Sequence, residues 1–538
     1  MKENLTAYGF ILPAFLIIGI FGLFPIAFAV YVSLHRWRIN PGPYVGLGNY
    51  VRAIDNLGYA LMFWIALILL GLALRSLVLS WRKAQEHGDR AWAWILPALL
   101  TMAGIARLLQ SFVLLLPLVL DIANKVRGQE RTQELFVQLL GEAWRDPAVQ
   151  TVFRSALLIL VLGFVAAYLV SRFVDRSRRG GSYYSSFTMI LLMTGAAVLL
   201  GWLTLTEIQA AYSEALEAGE SLEVWAQIVT ISAGFVLLGL SWWCWRSAAD
   251  RSSTISMILR LVAAALLAVG AWALIGEIPR VIGAGDDDWW EGLKVTVFYS
   301  AGTVPFQLGI SLILANLLFQ NIRGKGVLRL IYFLPYITPA VAAAAVFRVF
   351  FSSRPSAPIN SLMNLFNASP LLWLDEPKGI FQLLAGNPAD FPSWAAGPSL
   401  ALVVIIIYNI WSYVGYDTVI FLAGLGGIPS ELYEAAAIDG AGRVAQFRHI
   451  TLPLLSPTTY FLTLLAVIGT FKAFNHVWVL RSAAALGTTD AASIVIFNEF
   501  NRNTRYGYAA SMSLLLLVVI LILTIINNRI AERRVFYG

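Results

Sequence analysis

Gln307, Asn409, Asp417, Lys472, Asn475 and His476 each interrupt a stretch of sequence that is otherwise apolar. Polar and ionisable groups are expensive in hydrocarbon. Side chains of this kind therefore line an aqueous cavity or pair with one another inside a helix bundle. The sequence leaves both roles open, with helix–helix pairing the plainer one for Gln307 and Asn409. Trp411 and Tyr416 stand beside Asn409 and Asp417 and add aromatic faces to the same path. Asp417 and Lys472 carry opposite charges, yet a direct ion pair is not expected. Their helices run in opposite directions, and their offsets from the two centres sum to about 11 residues, roughly 16 Å at the helical rise.

A second group of candidates lies outside the apolar stretches, in ELYEAAAIDGAGRVAQFRHITLPLLSP from Glu431 to Pro457. Placed on one helix, Tyr433, Ala437, Gly440, Val444 and Phe447 share a face at spacings of four and three. Ala437 and Gly440 would let another backbone come close, while Glu434, Arg443 and Arg448 decorate other sides. Ser430 is the expected N-cap, and Pro453 and Pro457 reset the chain as it enters the next apolar run. An interfacial amphipathic connector would show the same periodicity.

The elements that must position these residues are membrane-spanning helices. The 538-residue chain is 59% hydrophobic and only 13% charged, with a mean hydropathy of +0.72. That charged share is about half the usual one for a soluble domain. Twelve spans are expected, at 8–33, 57–79, 93–119, 151–171, 186–206, 224–245, 257–276, 293–319, 328–350, 398–423, 456–478 and 507–528. Each reaches the roughly 20 residues that a bilayer core requires. The fold class is therefore an all-α polytopic membrane protein. The first block is read as a retained helix, because it is too long for a signal-peptide core. Cys244 is the single cysteine, which excludes an internal disulfide.

The net charge of +7 does not mark a nucleic-acid binder, because 31 acidic residues accompany the 38 basic ones. Placement says more than the total. Basic residues gather at Arg82, Lys83 and Arg90, at Arg172 to Arg179, at Arg246 and Arg251, at Arg323 and Lys325, at Arg443 and Arg448, and at Arg529 to Arg534. The alternating loops Glu207–Glu223 and Gly283–Gly292 have no basic residue. The positive-inside rule then puts the basic loops, segment 431–453 and both termini in the cytoplasm. Arg36 and Arg38, and Lys125, Arg127 and Arg131, fall on the other side and run against the rule.

Glu434-Ala435-Ala436, Asp439-Gly440, and then Ile450 with Leu452-Pro453 resemble the EAA coupling segment of permease subunits in bacterial ABC importers. Neighbouring sequence extends the resemblance to the carbohydrate-type permeases. Gly324, Arg329, Phe333, Leu334, Pro335 and Pro339 in NIRGKGVLRLIYFLPYITPA, the approach FLAGLGGIPS, and YVGLGNY at Tyr44–Tyr50 all fit that pattern. It covers about 8–55 and 290–530. The chain departs from the family in two places. Six expected spans are inserted after the first helix, and Asn475 with Arg481-Ser482-Ala483 replaces an acidic residue and a Thr-Gly-rich stretch. This divides the chain into 1–55, an inserted membrane region 56–280, and a permease-like core 281–538.

The resemblance implies a type I importer permease core, working by alternating access, that translocates a sugar or related polyol. Glu434, Ala435, Ala436, Asp439, Gly440, Ile450, Leu452 and Pro453 would couple to the ATPase, and Asn409, Trp411, Tyr416, Asp417, Lys472, Asn475 and His476 would line the path. The implied partners are a second permease subunit, two cytoplasmic ATP-binding subunits or domains, an extracytoplasmic solute-binding protein and the bilayer of a bacterial or archaeal cell membrane. No cofactor is expected on this chain, and no catalytic activity. ATP and Mg belong to the ATPase subunits, since Gly324-Lys325-Gly326 lacks both the upstream glycine of a phosphate loop, where Phe319 stands, and its Ser/Thr. An ion-coupled secondary transporter and a membrane scaffold or assembly protein remain as alternatives.

Overall fold

The computed structural model describes residues 10–14, 17–126, 132–174, 180–218, 224–248, 254–275, 285–320, 323–385 and 396–534. Arg127, Arg131, Arg176, Arg178, Arg179 and Arg251 lie outside the described residues. Among those described, regular structure is helical, with two isolated bridges in place of strands. Contacts divide the chain into two units, Met1–Asp55 with Gly276–Gly538, and Asn56–Ile275.

The first unit opens with α1 (Phe24–Ser33) and α2 (Gly48–Ile54). The second unit holds α3 (Leu57–His87), α4 (Ile95–Lys125), α5 (Gln133–Trp144), α6 (Pro147–Leu169), α7 (Gly180–Ala218), α8 (Val224–Ala248) and α9 (Thr254–Ile275). Its helices pair as α3 with α7, α4 with α6 and α8 with α9. Small residues set these approaches, as is usual where lipid removes the hydrophobic drive between helices. A Cβ on Gly163 of α6 would fall 2.6 Å from Thr101 Oγ1 of α4, and one on Gly104 would fall 2.7 Å from Leu160.

The first unit continues with α10 (Asp287–Phe319), α11 (Lys325–Ile337), α12 (Ala340–Phe350), α13 (Leu400–Gly426), α14 (Ser430–Ile438), α15 (Arg443–Gln446), α16 (Ser456–Phe471), α17 (Asn475–Leu480), α18 (Ala492–Asn501) and α19 (Tyr506–Arg534). α13 is the central helix, with 67% of its most apolar window buried. It packs on α10 and α11, and α10 also packs on α16 and α18. α11 crosses α13 at Gly415, where a Cβ would fall 1.8 Å from the Tyr332 carbonyl oxygen. Only hydrogen fits there.

Among the described residues, eight helices are long and apolar enough to cross a membrane, or ten if each bent pair is one span. The first and seventh expected spans fall on shorter described apolar helices, Phe21–Ser33 and Leu259–Ala271. The expected single span 328–350 is corrected: α11 and α12 meet at 94°. Pro339, which has no N–H to continue the ladder, caps α12. The expected span 456–478 also breaks, after Phe471, and resumes as α17.

Candidate functional site

Both breaks open onto one cavity. Its volume is about 370 Å³, and its wall includes Ala340 from the first break and Lys472, Ala473, Phe474 and Asn475 from the second. Irregular backbone at membrane depth is tolerated where it lines a cavity. The Tyr408 hydroxyl donates to Ala340 O at 2.9 Å and so ties α13 to the start of α12.

α13 supplies one wall through Asn409, Tyr413, Tyr416 and Asp417. These residues recur at spacings of four, three and one and so share a face. α10 contributes Gln307, which ties the wall together. Asn409 Nδ2 donates to Gln307 Oε1 at 3.1 Å, and Gln307 Nε2 donates to Asp417 Oδ2 at 2.6 Å. All three side chains are buried. This chain satisfies the polar groups that the apolar helices must carry, as buried polar atoms require.

The opposite wall comes from α16, α17 and the break between them. His476 is buried, shares a 2.7 Å hydrogen bond through Nε2 with the Tyr299 hydroxyl, and stacks on Tyr408 at 5.1 Å. Lys472 is the C-cap of α16 and remains exposed. It lines the same cavity as Asp417, and no ion pair joins the two among the described residues. Tyr336 of α11 stacks on Tyr416 with centroids 4.5 Å apart and meets Tyr413 edge-on at 5.7 Å.

Of the path residues expected from sequence, Asn409, Tyr416, Asp417, Lys472, Asn475 and His476 line this cavity. Trp411 does not. It lies against Phe347 at 5.1 Å and lines a separate groove with Ile410 and Tyr332. Tyr336, Tyr413 and Thr470 are additional lining residues. Tyr413 could have been found from its helical spacing to Asn409 and Asp417. Tyr336 has no such signal, because an aromatic residue in an apolar run looks like packing.

The coupling segment is not one helix, which corrects the expected common face of Tyr433, Ala437, Gly440, Val444 and Phe447. α14 ends at Ile438, and the chain turns at Gly440, whose φ is +81°. Ala441 N–H donates to Ala436 O at 2.8 Å and Gly440 N–H to Ala437 O at 3.1 Å. This pair of bonds is the Schellman termination, in which glycine takes the left-handed position. Asp439 is the C-cap. The expected N-cap is also corrected: Pro429 holds that position and Ser430 is the first helical residue, with no side-chain cap. α15 and a π-helical turn, Phe447–Thr451, then double back on α14. Tyr433 and Thr451 share a 2.9 Å hydroxyl bond, and Gln446 donates to Ala441 O at 3.2 Å.

Glu434, Ala435, Leu452 and Pro453 are exposed, while Ala436 and Ile450 are partly covered. Ile438 is 88% and Val444 80% exposed. The turn therefore presents apolar side chains on its outer surface.

The family model described as binding-protein-dependent transport system inner membrane component matches residues 307–536. The trehalose/maltose transport system permease protein MalF of Thermococcus litoralis is 31% identical over 255 residues, covering 47% of this chain and 78% of the relative. The sn-glycerol-3-phosphate transport system permease protein UgpA of Agrobacterium fabrum is 30% identical over 255 residues, covering 47% and 79%. A chain in the crystal structure of a bacterial alginate ABC transporter is 22% identical with a TM-score of 0.40, covering 52% of this chain and 96% of that one. The matched region holds the cavity wall from Gln307 onward and the whole turn around Gly440, and the chain belongs to the family of binding-protein-dependent transport system inner membrane components, the permease subunits of ABC importers.

Proposed function

We propose that the cavity is part of the path of a carbohydrate or related polyol, opened alternately to the two sides of the membrane. One observation carries this reading: hydrogen-bonding side chains and stacked aromatic rings share one cavity wall, in the Asn409–Gln307–Asp417 chain and the Tyr336–Tyr416 pair. A polyhydroxylated ring offers hydroxyls to the first and a C–H face to the second. The maltose/trehalose and glycerol-phosphate relatives support the same class. Family membership favours this reading over an ion-coupled transporter or a scaffold.

The chain would act as a non-catalytic subunit. A second permease subunit would complete the path, and an extracytoplasmic protein would deliver the solute. Two cytoplasmic ATPase subunits, carrying ATP and Mg, would dock at Glu434, Ala435, Ala436, Asp439, Gly440, Ile450, Leu452 and Pro453. We place both termini in the cytoplasm of a bacterial or archaeal cell. The experiment is uptake of a panel of labelled sugars and polyols by the assembled complex in proteoliposomes. Accumulation that requires ATP inside the vesicles and the solute-binding protein outside is expected. Accumulation driven by an ion gradient alone, or transport confined to solutes without hydroxyls, would overturn the proposal.

A further inference from the structure

Arg36 and Arg38 run against the charge rule that orders most of the other loops, and they line one cavity with two further arginines. After α1 the chain folds back through a bridge between His35 and Tyr44. Gly507, at the start of α19, approaches so closely that a Cβ would fall 2.1 Å from the His35 carbonyl oxygen. Arg36, Arg38, Arg52 and Arg505 are thereby gathered around one cavity of about 300 Å³, with Asn49 and Tyr508 also in its wall. Among the described residues, no acidic side chain lines it.

Arg505 reaches Glu499 at 3.5 Å. Arg52 lies over the Tyr508 ring at 4.8 Å, and the Tyr508 hydroxyl donates to Asp286 at 2.6 Å. Arg36, Arg38 and Arg52 have no carboxylate partner among the described residues. Guanidinium groups gathered in this way repel one another unless an anion lies between them, and their planar forks suit phosphate oxygens.

Trp37 belongs to this cavity and also to a larger one of about 690 Å³. The larger cavity is a groove of mostly apolar side chains, with Phe28 and Val32 on α1, Ile496 and Phe500 on α18, and Ala509 and Ser513 on α19. α19 is a candidate membrane span of hydropathy 2.9, so the groove runs at hydrocarbon depth. The arginines sit where α1 ends and α19 begins, the level at which headgroups and interfacial tryptophans lie. This is the end away from the coupling segment, since the far part of α19 meets α16 through Tyr460 and Asn528. A free anion would use only the arginine cavity. A phospholipid uses both halves.

We propose that this unit holds an anionic phospholipid, its phosphodiester among Arg36, Arg38, Arg52 and Arg505 and an acyl chain in the groove beyond Trp37. The test titrates the full-length chain, purified in detergent, with dioleoylphosphatidylglycerol and counts bound lipid by native mass spectrometry. Arg36→Gln/Arg38→Gln is expected to weaken binding roughly thirtyfold, from the usual contribution of a basic residue at an anionic surface. Ser513→Phe, which fills the groove from an exposed position, is expected to weaken it as well. Millimolar inorganic phosphate should not displace the lipid. Wild-type lipid binding by both variants would overturn the proposal. So would displacement by inorganic phosphate with Ser513→Phe silent, which would make the arginines a free-anion site. Loss of the second permease subunit from Ser513→Phe complexes at unchanged lipid count would make the groove a protein interface and overturn it equally.

Discussion

Replacing Gly440 with alanine perturbs one backbone turn and adds no clash within the chain. Its φ is +81°, and an added Cβ would meet no atom within 4 Å. The cost is therefore conformational. A left-handed backbone costs an L-residue about 1–2 kcal/mol, and the bonds from Ala441 to Ala436 and from Gly440 to Ala437 depend on that turn. If the turn is the form that docks the ATPase, the equilibrium constant for forming it falls by about 5- to 30-fold, and the apparent affinity falls by at most that factor. The assay is the dissociation constant for the partner ATPase subunits and the initial rate of ATP-driven uptake, at matched membrane abundance. Gly440→Ala and Gly440→Leu should lose similar amounts, and Gly440→Asn should keep most of the function because asparagine tolerates this region. Wild-type docking by Gly440→Ala beside a failing Gly440→Leu would refute the conformational argument and point to a steric limit in the partner's groove.

Gly415→Ala places a Cβ 1.8 Å from backbone rather than from a yielding side chain; it should destabilise the first unit by on the order of 1–3 kcal/mol, read as a lower unfolding temperature in detergent. Asn409→Leu removes the donor to Gln307 Oε1 and leaves a buried acceptor unpaired, at about 1–3 kcal/mol; thermal stability and uptake should both fall. Cysteines introduced at Glu434 and Asp287, in a Cys244→Ser background, should label from the cytoplasmic and external sides respectively in sealed cells. External labelling at Glu434 would contradict the proposed orientation of the coupling segment.

The helical character of the chain was legible because apolar runs of span length have few other readings. The polar wall was legible for the same reason: Asn409 and Asp417 stand out against apolar neighbours. Trp411 is close to Asn409 in sequence but lines a different groove. Two residues from Asn409 on a helix is about 200° of rotation, so it belongs to the other side of α13. The breaks were harder to read. Alanine-rich helical spacing runs through Gly440 without interruption, and the positive φ there is set by the chain doubling back onto Tyr433. Pro339 did mark a discontinuity, but a proline signals a stop and does not specify a 94° turn. The second break carries no proline or glycine, as Lys472, Ala473 and Phe474 show. Its freed Ala473 carbonyl is taken up by a tertiary partner, Ser493, which is remote in sequence.

The contact of α11 with Gly415 gives α13 a fulcrum. From Gly415 to the tip at Gly426, next to the segment around Gly440, is 11 residues, roughly 16 Å of helix, and the other arm to Leu400 is roughly 22 Å. A straight rod rocking about that point by about 10° would swing the Gly426 tip by about 3 Å, half a helical turn. The longer arm would sweep the other way by about 4 Å. α14 begins at Ser430, a short link beyond that tip, so a push received at the turn around Gly440 would reach the far end of α13 magnified about 1.4-fold and reversed in direction.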